Sequence, residues 1–249
     1  MPWSLRFARL PMNRPPSASP PFAVKICGIT RVDDAVAAIE AGVDAIGLNF
    51  YGKSKRYIPL DAARQLVTES MARSARRVLW TGVFVNASVD EIAEHVQRVP
   101  LDIVQLHGDE PPEMVRLVRE RVGSTVRVLR AVRVSQKSLA EVADYLEVAR
   151  RANSEPDAVL VDAHATEEYG GTGKQLDWTS VHRDLAILGS MPLILAGGLT
   201  PENVGVAIAT SGVQSVDTAS GVEEAPGVKN HEKMRHFLSE SRRAFALQG

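Results

Sequence analysis

The chain contains one cysteine, Cys27, among 249 residues. That excludes an internal disulfide and fits a reducing, cytosolic compartment. An excess of charge is also missing: 29 Lys and Arg stand against 30 Asp and Glu, for a formal net charge of -1. The basic footprint of a nucleic-acid-binding domain is therefore absent, and no nucleic-acid partner is expected. No apolar run approaches the roughly 18 residues of a membrane span, so no membrane partner is expected either. The six histidines are scattered, and neither an HExxH nor a CxxC spacing occurs, so a metal site is not expected. Acidic residues are missing from residues 1–21, which hold six prolines together with Arg6, Arg9 and Arg14. That stretch has no apolar core of a secretory signal, and its prolines interrupt any amphipathic helix. Residues 1–22 are expected to be a disordered extension, and residues 23–249 one catalytic domain.

What the chain does have is a repeating alternation of short apolar runs and helix-period segments. The runs begin at residues 23–27 and recur at 44–50, 77–85, 102–107, 125–134, 157–162, 192–196 and 214–219. They are continuous rather than alternating in polarity, as parallel strands covered on both faces should be. Helix-start signals lie between them: Thr30 with Asp33, the capping box Ser88 to Glu91, and prolines at 111, 112 and 201. Eight strand–helix pairs predict an α/β fold, a single (β/α)8 TIM barrel. The competitor, a doubly wound open sheet, usually carries a glycine-rich dinucleotide turn after its first strand. Here that position reads Cys27, Gly28, Ile29 and Thr30.

Such a barrel places its active site at the C-terminal ends of the strands. Those ends carry Cys27, then the segment 49–56 with Arg56, then Gln105 and His107, then Asp162, Gly197 and Gly198, and last Asp217, Ser220 and Gly221. In the first strand every second side chain shares a face, so Lys25 and Cys27 point together. A buried lysine calls for a partner, whereas Cys27 by itself fits a small core residue. The two small-residue turns, 197–198 before a helix and 220–221, suit phosphate binding through backbone amides. They also suit ordinary turns that need positive φ. Asp162 ends an apolar run, as a helix cap, a salt-bridge partner or an acid kept protonated near neutrality by its surroundings. Arg56 reads either as a solvated basic loop residue or as a bidentate clamp for a carboxylate. The segment 168–175 resembles a P-loop only superficially, since Glu168 and Gln175 replace the required Gly and Ser/Thr. A mobile flap is the better expectation there.

Five motif groups occur in chain order: KICGIT at 25–30, DIVQLHGDE at 102–110, GGTGK at 170–174, LAGGL with PEN at 195–203, and SGVE with PGVK at 220–229. Together they resemble phosphoribosylanthranilate isomerase over about residues 23–240. The resemblance implies an Amadori rearrangement of N-(5-phosphoribosyl)anthranilate in tryptophan biosynthesis, without a cofactor. It implies Cys27 as general base, Asp162 as general acid, Arg56 on the anthranilate, and Gly197, Gly198, Ser220 and Gly221 on the phosphate. Gln105, His107 and Asp217 are the further candidates for holding substrate. The implied partner is a small phosphorylated molecule, and the implied assembly a monomer or homodimer in the cytoplasm. One departure is the loop KSKR at 53–56, where the family commonly has KSPR. The competing functions are a phosphosugar isomerase of histidine biosynthesis and a non-catalytic phosphate-binding barrel. The first would place an aspartate where Cys27 stands.

Overall fold

The computed structural model describes residues 19–134, 139–162 and 177–248. The glycine-rich segment at 168–175 and the first 18 residues fall outside the described residues. Eight parallel strands close in chain order into a barrel: β1 Val24–Cys27, β2 Ala45–Asn49, β3 Leu79–Phe84, β4 Ile103–Leu106, β5 Arg127–Arg133, β6 Ala158–Asp162, β7 Leu193–Ala196 and β8 Val216–Thr218. The closing contact pairs Lys25 of β1 with Asp217 of β8. Helices follow as α1 Val32–Ala41, α2 Leu60–Arg73, α3 Val89–Arg98, α4 Glu113–Val122, α5 Ala140–Arg151, α6 Trp178–Asp184, α7 Val204–Ser211 and α8 His231–Ala246. A short hairpin, β9 Glu223–Ala225 with β10 Val228–Lys229, precedes α8.

The strand period of two divides the apolar residues into two cores. Val24, Ile26, Leu48, Val104 and Val161 face the helices. Ala45, Ile103, Leu129, Leu160 and Ile194 fill the barrel. Phe22 joins that inner cluster and is buried, which removes on the order of 2 kcal/mol worth of apolar surface from water. The barrel's packing therefore begins one residue before the boundary expected from composition.

At the N-terminal face one device recurs. Asp44, Asp102 and Asp157, each just before an even-numbered strand, accept the amides of Val24, Trp80 and Val128 in the strand before. These carboxylates satisfy N–H groups in the first two residues of β1, β3 and β5, where a bare buried donor would be costly. They serve stability, as residues on this face of a barrel generally do.

Ser88 caps α3 as the capping box predicts, accepting from the Glu91 amide. Thr30 does not cap α1. The helix begins after Arg31 without a side-chain cap, and the Thr30 hydroxyl donates instead to the Gly227 carbonyl. The prolines at 111, 112 and 201 stand just ahead of their helices rather than inside the first turns.

Candidate active site

The C-terminal rim gathers the expected residues from elements far apart in sequence. Cys27 closes β1 and is partly exposed. Its sulfur lies over Gly47 of β2, where an added Cβ would stand 2.7 Å from Sγ. Glycine at that position is what gives the thiol its room. Two residues below, Lys25 is fully buried inside the barrel, with Nζ 2.8 Å from Asp217 Oδ1. Burial alone would pull the Lys25 pKa down, but the Asp217 carboxylate and Cys27 more than restore it, so the lysine stays charged.

The thiol responds differently. Burial pushes the Cys27 pKa up. Lys25 pulls it back, Asp217 pushes it up again, and Lys229 pulls it down, with a net rise. The pull of Lys25 on the thiol does not overcome burial in the free protein. Alkylation of Cys27 by iodoacetamide should therefore rise with pH through a midpoint above the ~8.5 of an ordinary thiol. Lys25→Met should move that midpoint higher and slow alkylation at neutral pH. It should also cost about 3–5 kcal/mol in denaturant unfolding, because Asp217 is left buried and unpaired. An unshifted midpoint in a folded Lys25→Met protein would separate the lysine from the thiol.

On the far side of the rim, His107 Nε2 lies 3.6 Å from Asp162 Oδ2, at the end of β6. Gln105 is fully buried, and the partner the structure gives it is His107, with Nε2 and Nδ1 3.0 Å apart. The loop behind His107 is held by Glu110. That buried carboxylate accepts from the amides of Asn86 and Gly108, both at 2.8 Å, and from Arg130 at 2.5 Å. Arg130 did not stand out in the sequence, and Glu110 appeared only as the end of the 102–110 motif, because Asn86 and Arg130 lie 24 and 20 residues from Glu110.

The β7 and β8 loops pack on each other. Gly197 and Gly198 take φ of 86° and 67°, conformations that favour glycine. Gly221 lies so close beneath the Leu199 carbonyl that an added Cβ would stand 1.9 Å from its oxygen. Thr218 Oγ1 donates to that same carbonyl at 2.7 Å. Asn203 donates to the Gly198 carbonyl and accepts from the Thr200 amide. The glycines thus let two loops meet at one point of the rim, where the second loop forms the turn Ser220–Val222.

Arg56 reaches the rim from the β2–α2 loop, its stem over Gly28. Its Nε and Nη2 each donate to Glu223 at 2.7 Å. The edge best suited to a two-pronged clamp is therefore occupied, and Arg56 keeps its Nη1–Nη2 end for anything else. Among the described residues no cluster of His, Cys, Asp or Glu is arranged to hold a metal, and no helix is long and apolar enough to cross a membrane.

Residues 24–240 match the family model described as N-(5'-phosphoribosyl)anthranilate (PRA) isomerase. A protein of that name from Citrifermentans bemidjiense is 41% identical over 220 residues, covering 88% of this chain and 97% of its own. The crystal structure of phosphoribosyl anthranilate isomerase from Thermotoga maritima matches with a TM-score of 0.74 and 38% identity, over 89% of this chain and 99% of that one. A phosphoribosyl anthranilate isomerase in complex with reduced 1-(o-carboxyphenylamino)-1-deoxyribulose 5-phosphate matches at a TM-score of 0.72 and 35% identity, over 89% and 99%.

Proposed function

The chain belongs to the N-(5'-phosphoribosyl)anthranilate isomerase family, and from that premise we propose how its residues divide the reaction. It converts N-(5-phosphoribosyl)anthranilate to 1-(2-carboxyphenylamino)-1-deoxyribulose 5-phosphate, a step of tryptophan biosynthesis. The observation that carries the assignment of roles is the convergence on one rim of a thiol from β1, a carboxyl group from β6 and the packed glycine loops after β7 and β8.

Asp162, protonated, gives its proton to the furanose ring oxygen as the C1–O bond breaks. The nitrogen lone pair forms C1=N, leaving an iminium. Cys27, as thiolate, then takes the proton from C2. The C–H electrons form C1=C2, and nitrogen recovers its lone pair. Protonation of the enolamine at C1 and loss of the C2 hydroxyl proton give the ketone. The rise in the thiol pKa sets a requirement here, and the substrate can meet it: the iminium places a positive charge beside the sulfur when the thiolate is needed. Lys25 and Lys229 act in the same direction. His107, 3.6 Å from Asp162, is placed to steady the acid and the sugar beside it. Gln105 supports His107, and Asp217 fixes Lys25.

The phosphate is assigned to Gly197, Gly198, Ser220 and Gly221, and the anthranilate carboxylate to the free end of Arg56. Gly221→Ala would drive a Cβ into the Leu199 carbonyl and shift the turn. A displacement near 1 Å costs on the order of 10²-fold, so kcat/KM should fall by about that much, mainly through KM. Steady-state kinetics that leave KM at the wild-type value would remove this turn from the phosphate site. A cytoplasmic location and a monomeric or dimeric state complete the proposal.

Complementation of a tryptophan auxotroph lacking this isomerase tests the function, with a histidine auxotroph blocked at the corresponding isomerisation as the competing case. Growth of the first strain alone supports the assignment. Growth of only the second, or of neither despite folded protein, contradicts it.

A further inference from the structure

The Arg56 side chain is more tightly constrained than a loop arginine needs to be. Its backbone amide donates to Ser54 Oγ at 3.1 Å, and Asn49 Nδ2 donates to the same oxygen at 3.1 Å. The stem rests on Gly28, where an added Cβ would stand 2.4 Å from Arg56 Cδ. The head meets Glu223 through two parallel hydrogen bonds of 2.7 Å. A guanidinium is planar and rigid, so fixing its Nε–Nη2 edge also fixes where the opposite end points.

Glu223 is itself braced. Its Oε1 accepts from Lys229 Nζ at 2.8 Å and from the Gly227 amide at 3.2 Å, and its carbonyl accepts from Lys233 Nζ at 3.1 Å. Lys229 is buried and donates also to the Ala219 carbonyl at 2.9 Å. Ala219 and Glu223 flank the turn Ser220–Val222. Thr30 ties the hairpin back to the β1–α1 loop through the Gly227 carbonyl at 2.7 Å. One carboxylate thus serves two cations. A purely structural ion pair would need only one, and the second cation here is the arginine that faces the rim.

We propose that Glu223, braced by Lys229, is a positioning residue that aims the free end of Arg56 at the substrate carboxylate and ties that aim to the phosphate turn at Ser220–Val222. The proposal rests on Arg56 binding the carboxylate, as assigned above. It makes the two ends of the substrate one recognition unit, joined through the hairpin of β9 and β10.

The test uses two stable ligands with the whole protein in titration calorimetry: reduced 1-(o-carboxyphenylamino)-1-deoxyribulose 5-phosphate and its counterpart lacking the ring carboxylate. Glu223→Gln should weaken the carboxylate ligand about ten-fold or more and the other by less than about two-fold, since only a charge-assisted contact is loosened. In an Arg56→Met background the Glu223→Gln change should add nothing to either ligand, as residues acting in series do. The double variant Glu223→Gln/Lys229→Met removes one charge of each sign and guards against misfolding. It should show the same carboxylate-selective loss. Equal weakening of both ligands by Glu223→Gln would make the residue a support for the turn alone and overturn the proposal, as would no weakening of either. Should Arg56→Met bind the carboxylate ligand like wild type, the assignment of Arg56 falls, and the positioning role with it.

Discussion

Cys27→Ser should lower kcat by about 10²–10⁴-fold, the usual worth of one proton transfer, and leave the thermal unfolding midpoint close to wild type. The physical reasons are local. The side chain sits at the end of β1, partly exposed, with its sulfur over the bare backbone of Gly47. A hydroxyl is smaller than a thiol and fills that space without strain. It is a far weaker acid, however, so Lys25, Lys229 and the passing iminium cannot convert it to a useful anion. Loss of rate without loss of fold is what separates a base from a packing residue. Turnover near the wild-type value would return Cys27 to the core residue that composition alone suggests.

Asp162→Asn should be as damaging, for a different reason. The amide preserves the shape and can hydrogen-bond to the ring oxygen, but it has no acidic proton to leave on it. The wild-type profile of kcat/KM against pH should be bell-shaped, reporting one acid and one base in the free enzyme. The variant should lose one limb of that bell as well as at least about 10²-fold in rate. A profile with both limbs intact would assign the acid to another group, with His107, 3.6 Å away, the first to examine.

Much of this arrangement is legible in the sequence because its physics is local. Short unbroken apolar runs report strands covered on both faces, and their regular spacing reports a closed parallel sheet. Period two places Lys25 beside Cys27 without any coordinates, and Lys25 has the partner that its burial demands, in Asp217. What the sequence hides is pairing across the chain. Arg56 and Glu223 are 167 positions apart, and nothing local in the motif that contains Glu223 points to an arginine partner. Lys229 looks like an ordinary surface lysine until the hairpin buries it against Ala219. Thr30 has the chemistry of a helix cap, yet its hydroxyl goes to a carbonyl 197 residues later. In each case a local preference yields to a contact that exists only once the barrel has closed. The thiol was legible as a candidate, but the direction of its pKa was not, because that depends on how burial compares with two lysines and an aspartate from three other places in the chain.

The most direct measurement is a crystal structure of this protein with the reduced product analogue bound. Cys27 Sγ should stand within about 3.5 Å of C2, the distance of a reacting pair. The Asp162 carboxyl should lie by the C4 hydroxyl that was the ring oxygen, and the phosphate on the turns at 197–198 and 220–221. A sugar chain bound beyond reach of the sulfur, or a phosphate seated elsewhere on the barrel, would contradict the account.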